Sequence, residues 1–82
     1  MYVTTVYLPE IADVSDFVNV MNQFRFEAQL HVGNYSVDAK SIMGIFTLDR
    51  EQQIQLEASV NDEAQIAKLN AAIGRFLYHP VH

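Results

Sequence analysis

The sequence contains no cysteine. That absence excludes a disulfide framework, a thiolate-bound metal cluster and a cysteine nucleophile together, and it suits a reducing compartment. Cations are scarce as well: five Lys and Arg stand against ten Asp and Glu, for a formal net charge of −5. Such a surface repels phosphate backbones and anionic lipids at long range, so neither nucleic acid nor membrane is expected as a partner. The three glycines are not spaced as a phosphate-cradling or dinucleotide-binding loop. No run of about eighteen apolar residues occurs, and the N-terminus "MYVTTVYLPE" lacks both a basic leader and a long apolar core. A soluble, unexported, cytoplasmic protein is expected. Internal repeats, low-complexity tracts and linkers rich in Pro, Gly or Ser are also missing.

What remains is 82 residues, half of them apolar, which is enough for one domain over 1–82 with a single core of modest depth. Tyr2 to Leu8 is β-branched and aromatic and is closed by Pro9, as in a short strand. Val14, Phe17, Val18, Met21 and Phe24 recur at steps of three and four, one stripe of a helix for which Asp13 is a plausible cap, with Asp16 in support. From Phe26 the period changes to two. Phe26, Ala28, Leu30 and Val32 point one way and Glu27, Gln29 and His31 the other. Gly33-Asn34 then turns the chain into Tyr35, Val37 and Ala39, making a β-hairpin.

Ser41 to Leu48 reads as a short helix, "DREQQ" as a polar turn, and Ile54, Leu56, Ala58 and Val60 as a last strand. Asn61 is expected to cap a final helix with Ile66, Leu69, Ile73, Phe76 and Leu77 on its core face, Asp62 and Glu63 in its first turn, and Pro80 at its end. The order is β-α-β-β-α-β-α. With strands polar on one side and a right-handed first crossover, the expected fold is an α+β open-faced sandwich. Its antiparallel sheet has the order 1-4-2-3 and carries the helices on one face.

The stretch "VDAKSIMGIF", residues 37–46, is unusual. Ser41 stands where its hydroxyl can cap the short helix, and a phosphate placed there would face the free amides of the first turn. Behind it, Ile42, Met43, Ile45, Phe46 and Leu48 occupy more than one stripe of a helix too short to bury them all, so part of the cluster is expected to face solvent as a docking surface. Gly44 permits close backbone approach.

This segment resembles the regulatory-serine region of HPr, the histidine-containing phosphocarrier family of the bacterial sugar phosphotransferase system, and the element order is similar over nearly the whole chain. The resemblance implies that Ser41 is a phosphoacceptor for a serine kinase. It also implies that Lys40, Ile42, Met43 and Phe46 contact protein partners, such as that kinase, its phosphatase or a transcription regulator. The family carries its phosphate on a histidine in a G-I/L-H-A-R-P-A motif. Counting back from Ser41 without gaps puts Glu10 at the histidine, Ala12 at the arginine and Asp13 at the proline. "LPEIADV" thus lacks the imidazole nucleophile and the cation that phosphoryl transfer through histidine needs. The resemblance therefore implies a divergent, non-catalytic regulatory or adaptor member, with Glu10 either imitating a charged phosphohistidine or simply solvated.

Two other readings stay open: a phosphocarrier that uses another acceptor, such as His31 on the open face of the sheet, and a structural or oligomerising module. His79 and His82 flank Pro80 and Val81 without an ordered scaffold, so no metal site and no cofactor are expected. The paired carboxylates Asp13/Asp16 and Asp62/Glu63 sit at helix starts, where capping accounts for them, and no Ser-His-Asp set has a local signature. No enzymatic activity is expected.

Overall fold

The computed structural model describes residues 1–77, so the expectations for His79, Pro80 and His82 lie outside the described residues. The elements follow the expected order: β1 (Tyr2–Val6), α1 (Ile11–Met21), β2 (Ala28–Val32), β3 (Tyr35–Asp38), α2 (Ile42–Phe46), β4 (Ile54–Ala58) and α3 (Glu63–Ala72), with a 3-10 turn at Gly74–Phe76. The sheet is antiparallel in the order β1-β4-β2-β3. Period-two patterning fixes its register. Leu30 of β2 faces Leu56 of β4 and Ala28 faces Ala58, all four fully or nearly buried, while Gln29 and Gln55 point to solvent.

Val14, Phe17, Val18 and Met21 from α1, Ile45 from α2, Leu69 from α3, and then Ile73 and Phe76 close over the buried side of the sheet as one apolar cluster. Phe17 and Phe76 meet edge to face, with centroids 5.5 Å apart and an interplanar angle of 88°. The chain turns from β2 to β3 with Gly33 at φ 58, the left-handed region that glycine enters without steric cost. Asn34, the other residue of the turn, keeps a negative φ.

Three local expectations are corrected. The first helix begins at Ile11, two residues before Asp13, with Glu10 at the N-cap; Asp13 stands in the first turn and its Oδ2 accepts the Glu10 backbone N–H at 3.0 Å. At α3, Asp62 rather than Asn61 holds the N-cap position, because the Asn61 carboxamide oxygen accepts a bond from the Met1 ammonium instead. That helix ends at Ala72, and the chain tightens into the 3-10 turn before Leu77 bridges to Val6. Tyr35, which shares the alternation of Val37 and Ala39, is 52% exposed. It lies on the edge strand, where its hydroxyl reaches Thr47 Oγ1 at 3.0 Å, beyond the reach of the core.

Candidate functional site

The helix behind Ser41 is only five residues long, so it has one stripe to bury. Ile45 takes it, fully buried, and Leu48 joins the core just beyond the helix end. Met43 is 77% exposed, Phe46 38% and Ile42 37%. Ser41 is half-buried in extended conformation, and its Oγ accepts the Gly44 N–H at 3.1 Å. A cap of this kind contributes about 1 kcal/mol. A Cβ on Gly44 would come within 3.2 Å of Val37 Cβ and 3.3 Å of Ser41 Oγ, so glycine is what lets the helix lie this close to β3 and to its own cap. The far end is tied off by Thr47, whose hydroxyl donates to Gly44 O at 2.6 Å.

Glu10 is exposed at the start of α1. The acidic stretch behind it is not left uncompensated, because Arg75 folds back from the 3-10 turn to reach Asp13 Oδ1 at 2.9 Å and Asp16 Oδ2 at 3.6 Å. The same guanidinium lies 4.3 Å from the centroid of the Phe76 ring. His31 lies on β2, on the outer side of the sheet rather than beside Glu10. Its Nε2 faces Glu57 Oε2 at 3.5 Å and makes no hydrogen bond. Among the described residues no cluster of three or more His, Cys, Asp or Glu is arranged to hold a metal ion, and no helix is long and apolar enough to cross a membrane.

The family model described as "PTS HPr component phosphorylation site" matches residues 13–75. The chain belongs to the HPr family. The match begins at Asp13, past Glu10. Among solved structures, HPr-C-His from Thermoanaerobacter tengcongensis superposes with a TM-score of 0.69 at 26% identity, covering 90% of this chain and 97% of that one. The phosphocarrier protein HPr of Bacillus anthracis str. Ames gives 0.63 at 25% identity, covering 88% and 93%. Crh, the catabolite repression containing protein of Bacillus subtilis, described as an intertwined dimer with a swapping domain, gives 0.63 at 26% identity, covering 90% and 88%. No curated protein matches the chain. HPr proteins are phosphocarriers rather than catalysts, and they work with other proteins of the phosphotransferase system.

Within this HPr framework two further cations, like Arg75, bind groups that lie far away in sequence. Lys40, expected among the partner-contacting residues, turns its ammonium to Phe24 O at 2.7 Å and Phe26 O at 2.8 Å, and so ties the loop after α1 to the end of β3. Arg50 donates to Leu8 O at 3.2 Å and Pro9 O at 3.4 Å, with its guanidinium 5.6 Å from the Phe46 ring centroid. One side chain thereby joins the exposed apolar helix to the loop that presents Glu10. Arg50 lies in the stretch that reads as a polar turn, and nothing local marks it.

Proposed function

We propose that this chain is a non-catalytic regulatory or adaptor member of the HPr family. It acts in the cytoplasm, docks a protein partner through Ile42, Met43 and Phe46, and is switched by phosphorylation of Ser41. The observation that carries the reading is the five-residue helix itself: Ser41 caps it, and three of its apolar side chains face solvent beside that hydroxyl. A phosphate on Oγ replaces an apolar rim with nearly two negative charges and strong acceptors, which is a change a partner can read. Glu10 in the position of the family's histidine supports the loss of ordinary phosphocarriage, since a carboxylate there supplies neither the neutral ring nitrogen nor a cation.

Incubation with an HPr-type serine kinase and ATP is expected to place one phosphate on Ser41, mapped by mass spectrometry, and none on Ser41→Ala. No phosphate at Ser41, or an undiminished yield from the alanine variant, overturns the switch. Treatment with phosphoenolpyruvate and the first enzyme of the system is expected to leave no acid-labile phosphoryl group; one on His31 would restore the carrier reading.

The oligomerising reading draws support from Crh, described as an intertwined dimer. If the exposed helix is a subunit interface, the sedimentation coefficient rises with concentration. A strict monomer removes this reading and leaves the patch free for a different protein.

A further inference from the structure

The chain has five Lys and Arg in all. Lys40 is held on two carbonyls, Arg50 on two more, and Arg75 on two carboxylates. The side chains of Arg25 and Lys68 make no hydrogen bond or ion pair with any described residue, and both residues are exposed. These two unspent cations line the same groove. It lies between the loop after α1 and the outer side of α3, has a volume of about 380 Å³, and is completed by Gln23, Phe24, Phe26 and Gln65. No acidic residue lines it, although acids outnumber bases two to one in the chain.

Phe24 and Phe26 are half-buried, packed against the core, with their rings tilted at 38° and centroids 5.3 Å apart, and both line the groove, giving it an apolar part that is held in place. The backbone beneath them is anchored at both ends by the Lys40 ammonium on Phe24 O and Phe26 O. The Phe24 N–H is also held by Met21 O at 3.1 Å. Arg25 is the residue between the two anchored ones, so its backbone is fixed while its side chain is free. Opposite it, Gln65 and Lys68 stand three residues apart on α3 and so share one face of the helix.

We propose that this groove binds a small phosphate monoester carrying a flat or apolar body. The arginine fork and the lysine point charge match a group of nearly two negative charges. The two amides supply further donors, and the two phenyl rings take the organic part. The site is separate from the helix behind Ser41, so it stands or falls independently of the docking function.

The test is a titration of the full ¹⁵N-labelled chain with phenyl phosphate, followed by backbone amide shifts. The expected result is saturable movement of Arg25, Phe26, Gln65 and Lys68. Benzoate, with the same ring and a single charge, should bind at least about tenfold more weakly, and so should the ester to an Arg25→Ala/Lys68→Ala double variant whose spectrum is otherwise that of the parent. Inorganic phosphate should shift the same amides with lower affinity than the ester, because it leaves the phenyl rings uncovered. No saturable shift at these residues overturns the proposal. So does benzoate binding as tightly as the ester, inorganic phosphate binding as tightly as the ester, or undiminished binding by the double variant.

Discussion

Replacing Phe76 by alanine is expected to lower the thermal midpoint by about 15 °C or more, which follows from a loss of about 3–5 kcal/mol in a domain this small. The ring is 1% exposed and meets Phe17 edge to face at the centre of the core. It also carries the Arg75 guanidinium, which in turn holds Asp13 and Asp16. Its own carbonyl accepts the Tyr7 N–H at 2.6 Å, so the short 3-10 turn fastens the end of β1 to the first turn of α1. Truncation leaves a cavity beneath a charged side chain that has lost its platform. With total stabilities of about 5–15 kcal/mol for such domains, a measurable unfolded fraction is expected near body temperature. Thermal unfolding followed by circular dichroism measures it. A shift under about 4 °C would show that the turn only rests on the core and does not complete it.

Changing Met43 to glutamate is expected to separate function from stability. The side chain is 77% exposed and lies outside the buried cluster, so the fold should change by no more than about 0.5 kcal/mol. A carboxylate at the centre of the exposed patch, however, must be desolvated unpaired when an apolar surface docks there. With an HPr-type serine kinase as the partner, kcat/KM toward Ser41 should fall about thirtyfold, which corresponds to about 2 kcal/mol of lost binding at a dominant contact. Phe46→Ala should act in the same direction. Unchanged phosphorylation of Met43→Glu would remove the apolar helix from the docking role and leave only the serine.

The features that were legible in the sequence are those set by short-range periodicity. β2 and β3 were visible because Ala28, Leu30 and Val32 alternate with polar residues up to a glycine, and the pleat admits only one register that buries them. That part of the apolar cluster behind Ser41 must face solvent followed from a count, since a short helix has one stripe to bury. That the exposed part is Ile42, Met43 and Phe46 was implied by the family resemblance and not by the spacing, and Ile45 is the residue that fills the buried stripe. The start of α1 was misjudged because aspartate is the stronger N-cap former, yet Asp13 serves from the third helical position, accepting the Glu10 N–H. The exposure of Tyr35 was not legible, because alternation says which side a residue faces but not whether the core extends that far. The cation contacts were invisible for another reason. Arg50 reaches Leu8 and Pro9 across 42 and 41 residues of sequence and Arg75 reaches Asp13 across 62, distances over which no local pattern carries information.

The Lys40 clamp gives the two lysines of this chain opposite chemical reactivities. An amine attacks an acyl donor through a free lone pair and an unobstructed approach. The Lys40 nitrogen is part-buried with two of its three hydrogens committed to Phe24 O and Phe26 O, whereas Lys68 is exposed and its ammonium makes no hydrogen bond or ion pair with any described residue. Under a limiting amount of an N-hydroxysuccinimide ester, peptide mapping should therefore find the label on Lys68 well before Lys40. Full labelling of Lys40 should appear only once the loop around Arg25 has come loose.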